Sequence, residues 1–175
     1  LVIGIPNPCG RQKPKQPAQE QEDKEPKSEL EKAKRKEREV KACGTQEVNF
    51  LVRTDKKQHP TPEPPADKAL IYVIRPTLFG NKIQTKLAVD GQWMGANRGN
   101  NYFFFSVEPG EHHFCSRSEN RSLLTLHVEA GKTYYLQQKI DLGFWKARNE
   151  VVLLNEEEGK EGLAKCHLSI FEEKE

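Results

Sequence analysis

From Ala69 onward the chain alternates between short apolar or alternating runs and turn residues. Ala69-Leu70-Ile71-Tyr72-Val73-Ile74 is a β-rich run that closes at Arg75-Pro76, the pattern of a strand. Residues 83–89 make a second strand, and Asp90-Gly91 then suits a type I′ hairpin turn, in which both central residues take positive φ. Residues 92–94 return, 95–101 read as a Gly/Asn loop, and 102–107 are strongly β. Pro109-Gly110 turns the chain into 111–116, and 118–121 is a polar turn. Leu124, Leu126 and Val128 alternate with Thr125 and His127, the period of a half-buried strand. Ala130-Gly131 turns into 133–138, and 151–154 is a last short strand. Then one short C-terminal helix is predicted. Asn155 can cap it, Glu156, Glu157 and Glu158 favour its N-terminus, Gly159 and Gly162 weaken it, and it should end near Lys165. Seven or eight short strands about ten residues apart, with no β–α alternation, predict a mainly-β, antiparallel sandwich or barrel.

The front of the chain has another texture. Nine of eleven prolines precede residue 68, while thirteen of fourteen aromatics follow it. Residues 1–10 open on Leu1-Val2-Ile3-Gly4-Ile5 and read as the remnant of a signal peptide. Cys9 is a candidate for lipidation, although Asn7 and Pro8 stand where a lipoprotein signal carries small residues. Residues 11–42 read as a charged spacer, disordered or helical. Within it, 20–41 hold eight acids and eight bases. Ser28 and Glu31 suit a capping box, and Glu31/Arg35 and Glu37/Lys41 suit i,i+4 pairs. Leu30, Ala33 and Val40 make no continuous stripe, so such a helix would be solvated. Residues 43–67 form a proline-rich strap with a short strand near 47–52, and 68–175 hold the core material.

Charge and chemistry narrow the classes. The net charge of +2 sits wholly in the front segment, and no apolar run approaches the ~18 to 20 residues of a membrane span. Esterase elbow, P-loop, zincin and Cys-x-x-Cys motifs are absent from the sequence, and no cofactor is implied. His112-His113-x-Cys115, with Cys166-His167 beyond it, is the nearest approach to a zinc set, although His113 and Cys115 share a strand face and His112 does not. Residues 98–105 superficially resemble an RNA-recognition octamer, but asparagines replace its third and fourth positions. Alternation instead puts Phe103, Phe105 and Val107 on a core face. Trp93, Arg98, Tyr102 and Phe104 are the candidates for a ligand-facing patch, with Trp93 packed under a loop as the competing structural reading. Besides Cys9, the three cysteines allow three pairings.

The run Ala69-Leu70-Ile71-Tyr72-Val73-Ile74-Arg75-Pro76, Val89-Asp90-Gly91 with Gly95, Tyr102-Phe103, Pro109-Gly110-Glu111-His112 and Ala130-Gly131-Lys132-Thr133-Tyr134-Tyr135 resembles an uncharacterised family of bacterial envelope proteins. Many of these are lipoproteins, and their domain has no assigned function. The rhythm of turns is also similar to PEGA-type and carboxypeptidase-regulatory-like modules. The resemblance implies a small transthyretin-like (prealbumin-like) β-sandwich outside the cytoplasm, with no catalytic residues. It implies a Cys43–Cys115 disulfide, with Cys115–Cys166 as the runner-up and cysteines left as free thiols as the competing reading. The first closes about 70 residues, for roughly 4 kcal/mol. The expected function is an exported, non-catalytic module for binding or scaffolding at the envelope. Its partner would be a protein or a glycan rather than nucleic acid, and any membrane attachment would be through a lipid. The alternative is a metal-binding protein or enzyme using His112, His113 and Cys115.

Overall fold

The computed structural model describes residues 20–21, 28–77, 80–142 and 147–174. The elements in chain order are β1 (Glu20–Gln21), α1 (Glu29–Cys43), β2 (Phe50–Asp55), β3 (Ala69–Arg75), β4 (Thr85–Val89), β5 (Gln92–Asn97), β6 (Asn101–Val107), β7 (Gly110–Arg117), β8 (Arg121–Val128), β9 (Thr133–Leu142), β10 (Ala147–Leu154), α2 (Glu156–Ala164) and β11 (His167–Glu173). They form two sheets, ordered β1-β8-β7-β4-β5 and β10-β9-β3-β6-β11-β2. This is the small β-sandwich expected. Its pairings are antiparallel except β3/β9 and β6/β11. Those two pairs are parallel because the chain reaches the second strand of each by a crossover rather than a hairpin.

The main core lies between the sheets. Leu87, Val89, Phe114, Leu124, Leu126 and Val128 from the first meet Ile71, Val73, Phe103, Leu136 and Val151 from the second. The alternation in β8 and β6 thus places the side chains it predicted, with Phe105 and Val107 packed on the same cluster. β3 is buried at every position because both of its faces are covered. Its other face carries Leu70, Tyr72 and Ile74, which pack with Tyr102, Tyr135, Leu163 and Cys166. Second-sheet strands therefore have a third layer over them, made of α2 and the strap.

Several expectations change in detail. β5 runs on through Gly95 to Asn97, where a loop was expected, because a bulge between Leu87 and Ala88 re-registers its pairing with β4. β11 is not among the predicted strands; its apolar run is short (Leu168, Ile170 and Phe171, ahead of Glu172 and Glu173), and pairing with β2 and β6 makes it a strand. Packing also reaches ahead of residue 68, since Phe50 and Val52 of β2 are buried against Ala96. α1 has the predicted capping box, Ser28 with Glu31. Arg35, however, reaches Glu39 (3.2 Å) rather than Glu31, and Glu39 also holds Arg121 of β8 (3.0 Å). Most of α1 is exposed as expected, but its C-terminal end, Ala42 and Cys43, is buried against the first sheet.

Candidate functional site

Cys43 and Cys115 form a disulfide, which joins the end of α1 to β7. The local sequence explains why they meet. Asp90 (φ 50°) and Gly91 (φ 84°) make the left-handed pair that the hairpin turn requires. The Gly91 N–H donates to the Ala42 carbonyl (3.0 Å), and a Cβ on Gly44 would lie 2.3 Å from the Gly91 oxygen. Only glycine lets the helix end settle on this turn, and Cys43 then faces Cys115.

The disulfide removes Cys115 from the proposed His112–His113–Cys115 ligand set, since a bonded sulfur is no thiolate. The histidines also have structural partners. His112 bridges the Asp90 carboxylate (2.6 Å) and the Glu108 carbonyl (2.7 Å). His113 meets the Thr125 hydroxyl (3.0 Å), and its backbone N–H donates to Asp90 (2.8 Å). Cys166 is a buried thiol in the outer cluster of the second sheet, where desolvation pushes its pKa up to about 11. Among the described residues, no group of three or more His, Cys, Asp or Glu side chains is placed to hold a metal. Cys9 and the signal remnant lie outside the described residues.

The predicted patch does not assemble. Trp93 packs under the loop ahead of β2: its Nε1 donates to the Gln46 carbonyl (2.9 Å), and Lys86 Nζ lies 5.0 Å from the ring centroid. Arg98 is exposed, Phe104 is half-buried, and Tyr102 is fully buried on the outer face of the second sheet. Tyr102 cannot face a ligand because the strap lies over it. Its hydroxyl donates to the Pro60 carbonyl (2.9 Å), and the His59 ring sits 4.9 Å away, centroid to centroid.

A different site lies beside it, in a cleft of about 710 Å³ bounded by the strap, the outer face of the second sheet and α2. That volume falls within the usual range for ligand sites. Its floor is Tyr72 and Tyr135, parallel register partners on β3 and β9 whose rings stack 5.5 Å apart. The Tyr72 hydroxyl donates to the Pro62 carbonyl (2.8 Å), the second such bond from the sheet to the strap. The Tyr135 hydroxyl has no hydrogen-bond partner among the described residues. The far wall is α2, capped by Asn155 through the Glu158 N–H (2.9 Å). Gly159 explains how close this helix comes, because a Cβ there would lie 2.2 Å from the Tyr135 ring. The glycines that weaken the helix in isolation are what let it approach the sheet, Gly159 at Tyr135 and Gly162 at Ile74.

Burial, with the neighbouring Tyr135 and Tyr102 phenols adding to it, pushes Tyr72 up to about 12. Burial does the same to Tyr102 and raises Tyr135. At neutral pH these phenols stay protonated and act as hydrogen-bond donors. At the rim Glu156 and Lys160 pair (2.5 Å), and that bond lowers the Glu156 carboxyl. The cleft thus combines stacked rings, prolines and Leu163 with a charged rim and one phenol donor that has no partner among the described residues, an arrangement that can hold a ligand by contact and hydrogen bonding. The sequence reading missed Tyr72 and Tyr135. Their signal was present as aromatics on the non-core parity of β3 and β9, but nothing local showed that a strap and a helix would cover that face.

Residues 65–150 match the family described as "Protein of unknown function (DUF2846)". The match takes in β3 to β9, with both floor tyrosines, and the first half of β10. The chain is also similar to an uncharacterized protein of Haemophilus influenzae, 25% identical over 133 residues, which cover 75% of this chain and 78% of the relative. No solved structure matches. Both matches lead to uncharacterised proteins, which agrees with the resemblance at that level.

Proposed function

We propose that this chain is an exported, non-catalytic β-sandwich module that binds a partner at the bacterial envelope through the cleft between strap and α2. The observation that carries the reading is the Cys43–Cys115 disulfide, buried at 3% and 0% exposure. Disulfides form and persist in oxidising compartments and are rare in the cytosol. The resemblance to envelope and PEGA-like modules points the same way, and the cleft supports a binding role because its floor offers the Tyr135 hydroxyl as a hydrogen-bond donor. Among the described residues no helix is long and apolar enough to cross a membrane; the attachment proposed is a lipid on Cys9.

The test is cell fractionation of the native host, followed by intact mass with and without reduction and thiol alkylation. The reading expects the protein outside the cytoplasm with one disulfide, Cys166 alkylated only after unfolding, and, for a lipoprotein, an acyl mass on Cys9. Cytoplasmic protein with Cys43 and Cys115 as free thiols would overturn it.

A further inference from the structure

The strap is itself a bound proline-rich segment. Residues 59–65 read His-Pro-Thr-Pro-Glu-Pro-Pro, and proline fixes such a segment in extended conformations without backbone N–H donors at its prolines. It is therefore held through its carbonyls. Tyr102 donates to the carbonyl of Pro60 and Tyr72 to that of Pro62, two residues on. The two tyrosines stand on neighbouring strands β6 and β3. Tyr135, on the next strand β9, continues the row. The strap has left the row by then, since Lys68 leads into β3, and the third hydroxyl has no carbonyl to meet among the described residues. Proline-rich ligands are recognised in this way, by aromatic grooves that read a preformed extended backbone.

From this row we infer that the cleft binds an extended, proline-containing peptide segment of a partner protein, laid beside the strap with a carbonyl on the Tyr135 hydroxyl. The inference rests on the cleft being the binding site of the proposed function and names the class of its ligand. A peptide fits better than a glycan for a physical reason. Sugars stack on open aromatic faces, whereas Tyr72 and Tyr135 are 2% and 6% exposed, with one ring against the other and Gly159 against Tyr135. What the floor offers outward is a hydroxyl donor between the proline wall and Leu163. Glu63, exposed at the rim without a partner among the described residues, adds a place for a lysine or arginine of the peptide.

The probe is a synthetic peptide with the sequence of residues 58–66, titrated into the disulfide-bonded full chain by NMR or fluorescence anisotropy. A scrambled, proline-free peptide and a soluble peptidoglycan glycan fragment serve as comparisons. The expected result is saturable binding of the proline peptide, weakened about three- to tenfold by Tyr135→Phe, which removes one hydrogen bond and keeps the ring. Ala164→Trp, at an exposed position of the cleft wall, should abolish it by filling the space. Unchanged thermal unfolding of both variants separates loss of the site from loss of the fold. Binding that survives Tyr135→Phe but fails in Tyr102→Phe would mean that the peptide merely displaces the strap, and would overturn the inference. No binding at millimolar peptide would overturn it too. Binding of the glycan fragment alone would replace the ligand class while leaving the exported module standing.

Discussion

Removing the disulfide should cost this fold about 4 kcal/mol and release its first helix. Cys43 and Cys115 are 72 residues apart, and on the chain-entropy relation a loop of that length gives about 4.4 kcal/mol at 25 °C. For a chain of 175 residues each kcal/mol moves Tm by about 2–4 °C, so the expected loss is roughly 10–15 °C. The effect should be uneven. α1 is 15 residues long and buries only Ala42 and Cys43, and an isolated helix of that length is marginal in water. Once the bond is gone, the helix keeps the Gly91–Ala42 hydrogen bond, the small apolar contact of Ala42 with the first sheet and the exposed Glu39–Arg121 pair, and exposed pairs contribute about 1 kcal/mol or less. The assay is the Cys43→Ala, Cys115→Ala double variant beside the reduced and alkylated parent, followed by thermal unfolding and hydrogen exchange. Exchange protection should vanish across α1 while β3 stays protected. A Tm within about 3 °C of the parent, or α1 amides as protected as before, would refute the argument that the bond holds the helix to the sandwich.

Three further outcomes follow from the same contacts. Gly159→Ala improves helix propensity by up to ~1 kcal/mol, yet it puts a methyl inside the Tyr135 ring, whose own Cβ is 2.6 Å away and cannot swing clear. Urea unfolding should therefore show a net loss of about 1–2 kcal/mol, and a gain would mean that α2 does not lie on the tyrosines. Asp90→Ala loses the acceptor for the His113 N–H and the partner of His112, at a residue with φ 50°. It should cost about 2–3 kcal/mol, and Asp90→Asn clearly less, since asparagine tolerates that φ; equal losses would argue against the turn's role. Alkali should release the strap. Tyr72 and Tyr102 have folded values near 12 against an ordinary 10. Their neutral forms therefore contribute stability that is complete below pH 10 and lost as pH rises toward 12. Ultraviolet phenolate titration should show these phenols ionising last, together with unfolding, whereas ionisation of all tyrosines near pH 10 without unfolding would contradict their burial.

Much of the sandwich was legible in the chain because its signals are local. Alternation in β8 and in Phe103-Phe104-Phe105 follows from the two-residue period of a strand facing one core. The Asp90-Gly91 turn, the Ser28–Glu31 box and the Asn155 cap are chemistry within four residues, so each is visible without a fold. The disulfide was implied only by likeness to a family. Its physical cause, the contact of Gly44 with Gly91, joins segments 47 residues apart.

What tertiary structure alone decided is the second face of the second sheet. The two-residue period of their strands turns Tyr72, Tyr102 and Tyr135 away from the main core, and that parity alone does not say what, if anything, covers them. It became a buried floor because the strap and α2, distant in sequence, converge over it, and because Gly159 leaves room for contact. That convergence also leaves the Tyr135 hydroxyl without a partner among the described residues, while other long-range contacts packed Trp93 under the loop at Gln46 and made residues 167–173 a strand between β2 and β6. Local pattern determines which way a side chain points. What it meets there depends on chain segments whose approach is governed by loop closure and packing, and that information is spread over the whole molecule.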